Sequence, residues 1–249
     1  MELELIGRKL PAVFSLLFLT LQNMRLAEAL FWMLFPLIFI AFVIIFIVGS
    51  VIYGRRQRQK RIQALQFFAA QNGWTFVPGA TPPQFFQNAH AYSILNHRSG
   101  NIIALLQRPH DGGTVSVFDY TYTVGSGKNR HTHTQTVVAF HTPRLMIPFF
   151  ALYPESFFSF IGEMFGAQDI DFHTHPDFSK NFKLAGRDEM PIRQFFHPQA
   201  LSFFERLPRI RVDGGGNYLF VYILDETFKA ENLNAFLDTT LTVYNLFRR

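Results

Sequence analysis

The chain has 249 residues, of which 31 are phenylalanine and none is cysteine; 16% are charged, with a net charge of +5. High apolar content and few charges exclude a disordered chain. The missing cysteine excludes a disulfide scaffold, a zinc–thiolate site and a cysteine nucleophile.

Residues 1–28 contain a short apolar segment, Pro11–Leu21, flanked by Arg8 and Lys9. Eleven residues do not span a bilayer. The segment has the form of a signal-peptide core, and Ala27-Glu28-Ala29 fits the small-x-small cleavage pattern. Glu2 and Glu4 oppose that reading, and a cut after Ala29 would fall at the start of the next apolar run. An uncut interfacial or partner-docking helix is expected.

Residues 29–54 carry no charge. At about 1.5 Å of rise per residue, about 20 helical residues cross a hydrocarbon core of about 30 Å. The run is expected to be a transmembrane helix. Trp32 and Tyr53 lie near its ends, where amphipathic rings favour the headgroup level. Pro36 removes one backbone bond and is expected to bend it.

Arg55, Arg56, Arg58, Lys60 and Arg61 follow at once. Residues 1–54 are charge-balanced, and so are residues 62–249, so the whole excess sits in residues 55–61. A basic cluster beside a span stays cytoplasmic. The expected arrangement is a bacterial inner-membrane protein with its N-terminus outside and residues 62–249 in the cytoplasm. Its partners would be the bilayer and other membrane proteins. A nucleic-acid role is not expected, because the folded part has no basic excess to meet phosphates.

Residues 56–72 show apolar positions at helical spacing (Ile62, Leu65, Phe68, Ala69), and Gly73 suits a helix end. Trp74–Val77 reads as a short strand, and the Pro/Gly-rich residues 78–83 as a turn and loop. Residues 101–108 form a strand candidate, and Asp111-Gly112-Gly113 a turn. Residues 114–124 alternate, with Phe118, Tyr120, Tyr122 and Val124 on one face and Asp119, Thr121 and Thr123 on the other. That is the pattern of a half-buried antiparallel strand. Residues 125–130 form a polar loop and 131–141 the return strand, in a register that loop length leaves open. Helices are expected around 155–165, 198–207 and 230–247. Strands at 209–212 and 218–224 flank Gly214-Gly215-Gly216, a hairpin signal. The expected fold class is α+β: one transmembrane helix, then a single domain with an antiparallel sheet and packed helices.

Two stretches carry a resemblance. One is Phe118-Asp-Tyr-Thr-Tyr-Thr-Val-Gly-Ser-Gly-Lys128, and the other is Gln168-Asp-Ile-Asp-Phe172 continuing through His175-Pro-Asp-Phe178. Together they resemble a widespread group of uncharacterised bacterial proteins with a membrane segment near the N-terminus. The resemblance covers residues 60–247. That family has no assigned activity, so the resemblance implies a bacterial origin and one domain, and no catalytic residue.

Gly125-Ser-Gly-Lys128 lacks the earlier glycine and the following Ser/Thr of a phosphate loop, and a strand follows it. It reads as a hairpin loop. Residues 169–177 are the strongest chemical candidate. If the segment is extended, Asp169, Asp171, His173, His175 and Asp177 share one face. That face either coordinates a divalent metal such as zinc or manganese or is a solvated strand face backed by Ile170 and Phe172. His131 and His133 repeat the spacing and would join a shared site. Phe149, Phe150, Phe157, Phe158, Phe160 and Phe165 form either core or a docking surface.

The leading expectation is therefore a membrane-anchored interaction or scaffold domain, an accessory subunit of a larger membrane complex, with no cofactor and no catalysis of its own. The alternative is a metal-dependent enzyme working on residues 169–177.

Overall fold

The computed structural model describes residues 2–77, 92–97, 99–155 and 169–248, with side chains from Trp32 onward. The expected helix at 155–165 beyond Glu155, the whole of the expected loop at 78–83, and four of the six clustered phenylalanines lie outside the described residues. The chain divides into two compact units, Met1–Lys60 and Arg61–Arg249.

The first helix, α1, runs unbroken over Glu2–Gln71. The segment expected as a separate N-terminal helix is thus continuous with the apolar run. Residues 22–29 hold neither glycine nor proline, so nothing in them stops a helix. The backbone stays helical through Pro36. α1 ends where expected: Asn72 N–H donates to Phe68 O at 3.0 Å, Trp74 N–H donates to Ala69 O at 2.9 Å, and Gly73 takes the left-handed φ of 69°.

Within the second unit the described strands form one antiparallel sheet: β1 (Thr75–Val77), β2 (Asn101–His110), β3 (Gly113–Val124), β4 (His131–His141), β5 (Ile147–Pro154), β6 (Phe182–Gly186), β7 (Ile210–Gly216) and β8 (Tyr218–Ile223). Their spatial order is β1-β2-β3-β4-β8-β7-β5-β6. The β3–β4 register, open in the sequence, runs without a slip from Thr114↔His141 to Val124↔His131. The described residues hold four further α-helices in chain order: α2 (Pro176–Asn181), α3 (Glu189–Phe195), α4 (Pro198–Glu205) and α5 (Ala230–Phe247). α2 and α4 each begin on a proline, whose missing N–H has no helical partner there to lose. The fold class is α+β, as the alternation and spacing predict.

The sheet buries both faces. On one, Val117, Val138, Val212 and Val221 pack against Leu65 and Phe68 of α1, Phe204 of α4 and Phe247 of α5. On the other, Phe118, Tyr120, Tyr122 and Tyr222 pack against Tyr92, Ile94 and Leu95. The predicted split of β3 holds, but β3 is buried on both faces from Val115 to Tyr120 rather than half-buried. A sheet covered on one side only would have left Val117 and Asp119 in water.

Two segments differ from expectation. The Gly214–Gly216 run is not a loop: Gly214 and Gly215 lie inside β7, where the rings of Phe150 and Phe149 occupy the space a Cβ would need. Only Gly216, at φ 57°, makes the turn. Residues 169–175 are not a strand; they turn at 173–174 and enter α2. The paired strand is β6, seven residues beyond His175.

Candidate functional site

The apolar run is exposed along its described length: Trp32 and Ile45 show 72% and 70% of their surface. Trp32–Gln71 is a helix long and apolar enough to cross a membrane, with mean hydropathy 3.0 in its most apolar window and none of that window buried. Tyr53 is exposed and its hydroxyl accepts from Gln57 Nε2 at 2.9 Å. Arg55, Arg56, Arg58 and Lys60 are exposed.

Arg61 has a different environment. Its Nε and Nη2 donate to the two carboxylate oxygens of Asp119 at 2.7 and 2.9 Å, and its Nη1 donates to Phe228 O at 2.6 Å. Thr136 Oγ1 donates to Asp119 Oδ1 at 2.8 Å and accepts from Phe228 N–H at 3.1 Å. The forked guanidinium matches the carboxylate, and the remaining acceptors are filled. Arg61 is thus a structural cation of the second unit. The sequence carried only half of this signal: Asp119 sits mid-strand among apolar residues, and a buried carboxylate needs a cation, but nothing local names Arg61 as that cation.

The predicted His/Asp face does not assemble. Asp169 accepts from Lys183 Nζ at 2.6 Å and from Leu184 N–H at 3.1 Å. That hydrogen bond, joined by Glu155 at 3.0 Å, raises the Lys183 pKa. Asp171 and His173 are exposed, His175 stands at the N-cap position of α2 without a side-chain capping bond, its Nε2 3.4 Å from Ser202 Oγ, and Asp177 lies in the first turn of α2. His131 and His133 sit on β4, where His133 Nδ1 lies 2.9 Å from the Asp225 carboxylate. Among the described residues no group of three or more His, Asp or Glu side chains is arranged to hold a metal ion. The reason is conformational: a turn destroys the alternation on which the shared face depends. Gly125-Ser-Gly-Lys128 likewise leads into β4 and supplies no helix N-terminus for phosphate.

Sequence reasoning missed a buried polar cluster on the second sheet face. The Asp213 carboxylate accepts from Ser93 Oγ, from Ile94 N–H at 3.2 Å and from the Tyr222 hydroxyl at 3.1 Å. Burial pushes the Asp213 pKa up, and these donors oppose the shift. Tyr92 OH donates to Gly215 O at 2.9 Å. The cluster fastens residues 92–95 across the sheet. Next to it His97 stacks on Tyr122, centroids 3.6 Å apart. Burial, reinforced by His133, lowers the His97 pKa to about 4.

A cleft opens elsewhere, between the turn after α4, the adjoining strand ends and α5. Its volume is ≈ 410 Å³. Leu207, Ile210, Ile223, Phe228, Ala235 and Phe236 supply an apolar lining. Phe228 and Phe236 stack at 3.9 Å. Its polar lining comes from Arg206, Arg209, Asn232 and Thr239. Nothing in the local sequence announces this cleft, because its walls come from three separate elements.

No protein-family model and no curated protein matches the chain. Among solved structures, the fold is similar to the crystal structure of the mycobacterial trehalose monomycolate transport factor A, TtfA. The two share 10% identity with a TM-score of 0.51, over 75% of this chain and 93% of that one. At that identity the likeness is one of fold.

Proposed function

We propose that the chain is a membrane-anchored accessory subunit, with α1 as a single span and residues 61–249 as a cytoplasmic domain that holds or assembles a partner at the bacterial inner membrane. The observation that carries this reading is the contiguous, exposed apolar surface of Trp32–Tyr53. Water does not tolerate a patch of that length on a soluble domain, whereas a bilayer requires it. The four exposed cations that follow it favour the cytoplasmic side for what comes after. The shared fold with a protein named as a transport factor supports an accessory role at the membrane.

The test is mild-detergent purification of the tagged full chain from its native membrane, with native mass measurement and protease protection in vesicles of both orientations. A stoichiometric membrane-protein partner, with residues 61–249 cleaved only in inverted vesicles, is expected. A chain that washes off with carbonate, or that remains alone in every detergent tried, overturns the proposal.

A further inference from the structure

We propose that the cleft between α4, the ends of β7 and β8, and α5 binds a long-chain fatty acid, with the alkyl chain inside and the carboxylate at Arg206. The inference goes beyond the anchored-subunit reading and stands on the cleft alone.

The shape comes first. A cavity of ≈ 410 Å³ lies at the lower end of the range used for small ligands, and suits one alkyl chain rather than two. Leu207, Ile210, Ile223, Phe228 and Phe236 offer such a chain dispersion contacts and no hydrogen bond from their side chains. A ligand with polar groups lying against these five side chains would leave them without partners, which costs about 1–3 kcal/mol each, while Asn232 and Thr239 offer only two further uncharged polar side chains. The buried portion of the ligand is therefore hydrocarbon.

Charge then selects the head. The lining contains two arginines and no acid. Arg209 is already engaged, with Nη2 2.8 Å from Glu226 Oε2. Among the described residues no carboxylate pairs with Arg206; its guanidinium lies 5.9 Å from the Phe203 ring centroid. Arg206 follows the last turn of α4 and is exposed, so the carboxylate it would meet stays at the mouth of the cleft in water. A planar guanidinium beside an apolar slot matches a carboxylate on an alkyl chain. The forked donor also favours that group over a neutral alcohol of equal length.

The experiment uses the full chain in phosphatidylcholine nanodiscs with a diazirine-bearing palmitate, and maps cross-links by peptide mass spectrometry. Saturable labelling of peptides spanning residues 206–239 is expected. Arg206→Gln, at an exposed position, should weaken it about tenfold, and Ala235→Trp, also at an exposed position, should fill the cleft and abolish it. Both variants should melt with the parent. Cross-links confined to residues 32–54, or labelling of 206–239 unchanged in both variants, would overturn the proposal. Equal labelling by a diazirine hexadecanol would remove Arg206 as the head-group residue. Stronger labelling by a diacyl phosphatidylglycerol would replace the free fatty acid with a bilayer lipid. None of these outcomes bears on whether α1 spans the membrane or whether a protein partner exists.

Discussion

Phenylalanine occurs in both units of this chain and does opposite work in each. On α1, Phe35, Phe39, Phe42 and Phe46 are exposed, Phe46 by 69%. In the second unit Phe118, Phe178, Phe204 and Phe220 are wholly buried. The residue type and the transfer free energy are the same; what differs is the solvent each surface is meant to meet. In the domain, other side chains replace water around the ring, at roughly 25 cal/mol per Å² of apolar surface removed. Around Phe39, Phe42 and Phe46 no such cover is present among the described residues, and in the proposed reading lipid supplies it.

The sharpest way to break the comparison is to truncate one ring in each region. Phe204 touches Phe182, Phe196, Phe203 and Phe247. Phe204→Ala should cost the domain about 3–5 kcal/mol by opening a cavity that this cluster only partly fills. Phe42→Ala should leave the domain's thermal midpoint within about 1 °C, because a single surface truncation changes little. Equal losses in melts of the full chain in nanodiscs would mean that residues 32–54 are buried against protein.

A second contrast lies within one basic cluster. Arg58 is exposed, whereas Arg61 is forked onto a carboxylate that is itself 3% exposed. Arg61→Ala leaves Asp119 buried without its cation and should cost about 3 kcal/mol. Arg58→Ala should cost less than about 0.5 kcal/mol. Urea titration of both variants decides it; identical midpoints would show that Thr136 alone suffices for Asp119.

These differences mark what the sequence made legible. The uncharged run was readable from its length and its lack of charge, and the β3–β4 hairpin and α5 from a period that separates their faces. The stripe of α5 is buried as expected at Leu233, Phe236, Leu237, Tyr244 and Phe247, with only Leu241 half-buried. β5, β6, α2 and α3 were not readable. They are short, and β5 (Ile-Pro-Phe-Phe-Ala-Leu-Tyr-Pro) is apolar at nearly every position because both of its faces are covered. The His/Asp segment failed because residues 173–174 turn and Pro176 starts a helix, where an extended run was needed. Asp213, Arg61 and the cleft depend on contacts between elements far apart in sequence, which no local period encodes.

Acid provides a third, smaller test. His97 packs neutral on Tyr122, and its pKa is lowered to about 4 in the fold. The unfolded chain takes up that proton near pH 6.5, so stability from this group is full above about 6.5 and falls as pH drops toward 4. His133, which faces the same ring, is paired with Asp225, and Asp213 acts in the opposite sense: its raised pKa makes acid favour the fold. The net assignment therefore needs a variant. Between pH 7 and pH 5 the parent should lose about 2–5 °C of midpoint that His97→Gln does not lose. Parallel pH profiles for the two proteins would remove His97 as the cause. Residues 32–54 carry no titratable group in this range, so truncations there should leave the profile unchanged.

The smallest effect compares one polar pair from each region. Gln57 Nε2 donates to Tyr53 OH one helical turn away, in full exposure. Thr121 Oγ1 donates to His133 O at 3.0 Å and lies 2.9 Å from Thr134 Oγ1, across the β3–β4 pairing and half-buried. Water replaces the first bond almost completely, so Gln57→Ala should leave domain stability unchanged. It replaces the second only in part. Thr121→Val keeps the shape and the strand preference and removes the hydroxyl, so its cost isolates that bond at about 0.5–1 kcal/mol. Chemical denaturation of the two variants reads the difference directly. A cost above about 2 kcal/mol for Thr121→Val would mean that Thr134 and the His133 carbonyl are left without water, and that this end of the sheet is covered more deeply than its half-exposed residues indicate.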